Sequence, residues 1–198
     1  MPFSSTSRRR IVRAAISEFA KKGYTRASLA SIARAAGVSK SGLLHYFPSK
    51  ELLLREAMAQ MDATHGISQS PDAEEPDHTG GPDDDAIAES ISARLATALD
   101  DDRMWAQFSV LMLAEALTDG SVSRDVVAAK YLEARSDLAR RMKRKYPEVP
   151  DEIINRAAVA MSAIVDGLNI AALMDPDTPI ADTFDTFYPV LRDYLNSF

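Results

Sequence analysis

Ser28-Leu29-Ala30-Ser31-Ile32-Ala33-Arg34-Ala35-Ala36-Gly37-Val38-Ser39-Lys40-Ser41-Gly42-Leu43-Leu44-His45-Tyr46-Phe47 reads as two short helices joined by a tight turn. Ser28 is a cap for the first helix, Ile32 and Ala33 sit at core-facing spacing, and Gly37 supplies the backbone freedom that a three- or four-residue turn requires. Val38 packs into the angle between the helices. Ser39 caps the second helix, whose Leu43 and Phe47 lie four apart on one side, leaving Lys40, Ser41, Gly42 and Tyr46 for the other. Two helices crossing steeply need a small residue at their contact, a turn residue tolerant of positive φ and a bulky plug; Ala33, Gly37 and Leu43 supply them in that order. A polar, basic second helix in such a pair is a DNA-reading element.

Outward from this pair, Ile11, Ala15 and Phe19 repeat every fourth residue and predict a preceding helix over about 7–22, ended by Gly23, with Tyr24 folding back on the same core. Pro48 forbids continuation of the second helix and Ser49 offers a cap, so a fourth helix begins there with Leu52, Leu53, Ala57 and Met61 as its apolar stripe. Residues 66–86 hold seven acidic residues, three Pro, three Gly and no Lys or Arg, and read as an acidic loop. Helical patterning resumes over 85–99 and 102–117, and again from 122 to 146 after a break at Thr118-Asp119-Gly120-Ser121. A nearly apolar segment follows over 151–174, and then a last helix from Ile180 to about Asn196. Pro189, inside that last segment, is expected to kink it or delay its start. No segment alternates as a strand does, and no long repeat is present.

Phe19, Gly23-Tyr24, Ser28, Ile32-Ala33, Ala36-Gly37-Val38-Ser39-Lys40, Leu43, Tyr46-Phe47-Pro48-Ser49-Lys50-Glu51 and Leu53 together resemble the N-terminal domain of the TetR (tetracycline-repressor) family. The resemblance covers about the first 60 residues. It implies an all-α chain: a three-helix helix-turn-helix domain with its following helix over 5–65, the acidic loop over 66–86, and a larger helical effector-binding and dimerisation domain over 87–198. It implies also that Tyr46 and Lys50 hold phosphate, and it marks a departure at Leu44, where the family most often has tyrosine. The expected DNA-contacting set is Ser28, Ser39, Lys40, Ser41, Gly42, His45, Tyr46 and Lys50. Lys40, Ser41, Gly42 and His45 face base edges in that set, because the first turn of a recognition helix enters the major groove first. Ser28 adds a backbone donor to the phosphate strand.

Charge agrees with this division. The whole chain carries −6, yet Met1 to Glu56 holds eleven Lys and Arg against three acidic residues, a segment charge of +8, and the other 142 residues carry −14. One end attracts phosphate and the remainder repels it. The chain has no cysteine, which excludes disulfides, thiolate metal sites and a cysteine nucleophile. Its three histidines, at 45, 65 and 78, have no metal-ligand spacing, and no nucleophile elbow or phosphate loop is present; neither a catalytic function nor a cofactor is expected. The start has no uninterrupted apolar run of the signal-peptide kind, and the apolar segment over 157–174 is broken by Ser162, Asp166 and Asn169, so a cytoplasmic chain without membrane contact is expected.

In the second domain Trp105, Phe108, Met112, Met161, Asp166 and Asn169 are candidates for a small-molecule effector pocket, with Glu115 beside them. Met and aromatic residues at helical spacing serve equally as plain core, whereas Asp166 and Asn169 are polar groups inside an apolar helix. The function these features point to is a ligand-responsive repressor that binds a palindromic double-stranded DNA operator as a homodimer. The alternative is a helical ligand-sensing or protein-interaction module with only non-specific DNA affinity.

Overall fold

A computed structural model describes residues 5–65, 91–92, 103–118 and 124–198. Eight helices have defined bounds: α1 Ser5–Arg26, α2 Leu29–Ala35, α3 Lys40–Tyr46, α4 Lys50–His65, α5 Arg103–Ala116, α6 Arg124–Lys145, α7 Asp151–Met174 and α8 Ile180–Leu195. No strand occurs among the described residues. The expected helix over 85–99 is described only at Ile91 and Ser92, which are helical. The remainder of that segment, and the acidic loop over 66–86, lie outside the described residues.

Local chemistry sets the boundaries of the first helices. Gly23 interrupts α1 with φ 76° and ψ 167°, a left-handed conformation that ends regular helix where the sequence places the break. Ser28 caps α2 through a reciprocal box: its hydroxyl accepts from Ser31 N at 3.0 Å, while Ser31 Oγ accepts from Ser28 N at 3.3 Å. At the other end of α2, Gly37 has φ 64°, its N–H donates to Arg34 O at 3.1 Å, and Val38 N donates to Ala33 O at 3.0 Å. This pair of bonds is a Schellman closure, and it fixes the turn. Ser39 Oγ then accepts from Gly42 N at 3.0 Å to start α3, and Ser49 Oγ accepts from Leu52 N at 3.1 Å to start α4.

The chain forms two compact units. The first comprises Met1–Thr64 with Met104–Tyr131, the second His65–Arg103 with Leu132–Phe198. Ile11, Phe19, Ile32, Leu43, Leu53 and Leu54 fill the core of the first unit, each fully buried, and Phe108, Met112, Val126 and Val127 join the same cluster. Leu52, expected in the stripe of α4, is 46% exposed; Leu54 takes its place because the inward face runs through Leu53, Leu54, Ala57 and Met61. Leu138 and Met142 of α6, Ile154, Ala158, Met161 and Val165 of α7, and Phe184, Tyr188 and Leu195 of α8 build the core of the second unit.

Among the described residues α7 alone is long and apolar enough to cross a membrane. Its buried side, Ile154 through Ala172, packs into the core of the second unit. Pro189 does not delay α8, which begins at Ile180 and runs through the proline as one helix. Lacking an N–H, Pro189 leaves the Asp185 carbonyl without its helical donor.

Candidate nucleic-acid interface

Three buried side chains hold α3 in place: Leu43 within the helix, Phe47 at its C-terminal cap and Ile32 from α2. Ser39, Lys40, Ser41 and His45 are all exposed. Lys40 has no ion-pair or hydrogen-bond partner among the described residues, so its ammonium is free for an external anion. Ser39 and Ser41 share a hydrogen bond at 3.0 Å between their hydroxyls. Gly42 has a structural reason to lack a side chain: a Cβ there would stand 3.1 Å from Ser39 Oγ, crowding the cap. Ser28 is exposed, with its hydroxyl in the capping box.

The two phosphate contacts implied by resemblance are placed otherwise. The Tyr46 hydroxyl oxygen is buried, and its ring meets His45 edge-on at 6.0 Å, so in this conformation it presents no hydroxyl to a backbone phosphate. Lys50 turns inward. Its ammonium donates to Tyr24 O at 2.8 Å, Ala27 O at 3.0 Å and Thr25 O at 3.4 Å, and sits 4.2 Å from the centre of the Tyr24 ring. Burial lowers the Lys50 pKa, and the nearby negative charge of Glu115 partly offsets that. The carbonyl-rich corner after α1 thus holds the ammonium that the resemblance places at a phosphate.

The N-terminal arginines are likewise divided between uses. Arg8 pairs with Glu56 at 2.5 Å and lies over the Phe47 ring at 5.4 Å, whereas Arg9 and Arg13 are exposed and have no intramolecular partner among the described residues. An exposed basic set therefore flanks the recognition helix in sequence, with Arg34 and Lys40 on the two sides of the turn.

The expected effector residues fall into different units. Phe108 and Met112 are buried in the core of the first, with Trp105 partly buried against it. Met161 is fully buried in the core of the second. Glu115, expected near a pocket, instead reaches the corner after α1, where its carboxylate accepts from Tyr24 N at 2.6 Å and Thr25 N at 3.2 Å. Asp166 is half-buried, and Asn169 is 3% exposed with an Oδ1 that has no hydrogen-bond partner among the described residues. No cluster of potential metal ligands occurs among the described residues.

Residues 11–57 match the profile of the bacterial regulatory proteins of the tetR family. The HTH-type transcriptional regulator RutR of Escherichia coli strain K12 is 42% identical over 57 residues, which span 29% of this chain and 27% of RutR. The chain thus matches only about a quarter of the length of that curated relative. The solved fold of a TetR-family member from Streptomyces coelicolor A3 superposes with a TM-score of 0.66 at 22% identity, covering 96% of each chain. NalD, the secondary repressor of the MexAB-OprM multidrug efflux pump in Pseudomonas aeruginosa, superposes with a TM-score of 0.67 at 18% identity, covering 96% of this chain and 97% of NalD. Those two likenesses establish the fold across nearly the whole chain. Over residues 11–57 the chain is similar to the helix-turn-helix domain of the bacterial regulatory proteins of the tetR family.

Proposed function

We propose that the protein is a cytoplasmic repressor that binds an inverted-repeat operator as a homodimer and releases it when a small molecule binds the second unit. The observation that carries the DNA-binding part is the exposed first turn of α3, with Lys40 unpartnered above the buried Leu43 and Phe47. Lys40 and His45 read base edges, and Ser39 and Ser41 contact the backbone or bases beside them.

The homodimer reading rests on apolar surface that one chain leaves in solvent. Val159, Ile170 and Met174 of α7 are 46%, 49% and 82% exposed, and Val190 and Tyr194 of α8 are 64% and 47% exposed. Ala160, Ala163 and Gly167 fill the α7 row between them with small exposed residues, and a Cβ on Gly167 would meet nothing within 4 Å. A second copy laying the same two helices against these would remove that surface from water. Asn169 supports the effector part, because a ligand N–H or O–H satisfies the orphaned Oδ1, whose burial is otherwise unfavourable.

Selection from random duplexes tests the proposal. A two-fold dimer with one recognition helix per subunit returns an inverted repeat with half-sites about one helical turn apart. Enrichment of no sequence, with salt-sensitive binding to all duplexes, would favour the module with non-specific affinity instead.

A further inference from the structure

The four residues between the break in α1 and the cap of α2 are gripped from two sides by opposite charges. On the N–H side stands the Glu115 carboxylate, with Oε2 2.6 Å from Tyr24 N and 3.2 Å from Thr25 N, and Oε1 3.4 Å from Thr25 N. On the carbonyl side stands the Lys50 ammonium, within 2.8–3.4 Å of the oxygens of Tyr24, Ala27 and Thr25. The anion meets donors and the cation meets acceptors, so each charge is neutralised by oriented peptide dipoles, and the Glu115 charge favours the ionised form of Lys50.

Gly23 is part of the same arrangement. It is buried, its φ of 76° is one L side chains rarely adopt, and a Cβ there would stand 2.2 Å from Glu115 Oε1 and 2.8 Å from Glu115 Cδ. The absence of a side chain is what admits the carboxylate to the Tyr24 and Thr25 amides. One residue past this corner is Ser28, the cap from which α2 starts and from which the Schellman turn and α3 follow.

We propose that Glu115 is a positioning residue for DNA recognition: by holding the Tyr24 and Thr25 amides it fixes the corner that aims α2 and α3, without touching DNA itself. The inference rests on the DNA-binding reading above. A residue of α5, 91 positions from Tyr24 in sequence, thereby sets the geometry of the recognition element.

Full-length parent, Glu115→Gln and Glu115→Ala are compared by two readouts. The first is hydrogen exchange in the free protein, where both variants speed exchange of the Tyr24 and Thr25 amides and of the Ile32 and Leu43 amides beyond the corner. The second is affinity for the selected operator, corrected for the active fraction found by stoichiometric titration. Both variants weaken it by about tenfold, the scale of one lost charge-assisted contact, and leave the slope of log K against log salt unchanged, because no phosphate contact is removed. A purely structural role would lower the active fraction and leave the affinity of the folded molecules alone. Operator affinity within twofold of the parent for both variants overturns the proposal. A parent with no sequence preference overturns the functional reading instead. Exchange at Ile32 and Leu43 then decides the role of Glu115: acceleration supports it and parental rates overturn it.

Discussion

Lys50 carries three carbonyl contacts and a ring contact at once, and its removal is therefore a change to the fold before it is a change to DNA binding. Lys50→Met leaves those oxygens without their donor and costs about 1–3 kcal/mol, read as a lower midpoint in urea or on heating. Because the ammonium is spent inside the protein, the salt dependence of operator binding stays that of the parent; a slope shallower by about one unit would return Lys50 to the phosphate backbone. Its pH dependence has a definite sign. Burial makes the folded-state pKa the lower one, so the unfolded chain binds this proton more tightly. Stability then rises relative to the variant as pH climbs through the window between the lowered value and the ordinary lysine value. The difference between parent and Lys50→Met across an alkaline urea series measures it. At Gly37, with φ 64°, alanine is strained whatever the space and costs about 1–2 kcal/mol in the same assay.

Caps and turns of α2 and α3 were readable because each is written in adjacent residues: Ser28 with Ser31, Ala33 with Gly37 and Val38, Ser39 with Gly42. The partners of Lys50 and Glu115 were not. Tyr24 lies 26 residues from Lys50 and 91 from Glu115, and no local pattern distinguishes a lysine that holds phosphate from one that holds carbonyls. The placement of α5 was illegible for a related reason. Phe108 and Met112 mark an apolar stripe, but the stripe does not say which core receives it, and it enters the one built by α1 to α4. At this scale Gly167 of α7 separates the readings of an exposed face. Its side-chain direction is open in a single chain, so Gly167→Leu leaves the protomer folded and, by obstructing close approach of a second α7, shifts sedimentation toward monomer. An unchanged dimer would place the subunit contact away from this row.

For the molecule as a whole, the division of charge does what neither unit's core does. With +8 over the first 56 residues and −14 over the rest, the proposed function has approach to DNA guided toward the helix-turn-helix end and opposed elsewhere. That field gives affinity for any duplex. Preference for one sequence must come from side chains at base edges, of which Lys40 is the exposed and unpartnered one at the first turn of α3. The decisive measurement is a titration of parent and Lys40→Ala against the selected operator, against the operator with single base-pair changes, and against unrelated duplex, over a range of salt. The account predicts that the parent prefers its operator strongly, that Lys40→Ala loses about 1–3 kcal/mol of discrimination at one symmetric base pair per half-site, and that binding of unrelated duplex weakens only slightly. Equal preference of parent and variant at every base pair would contradict the assignment of α3 as the reading element.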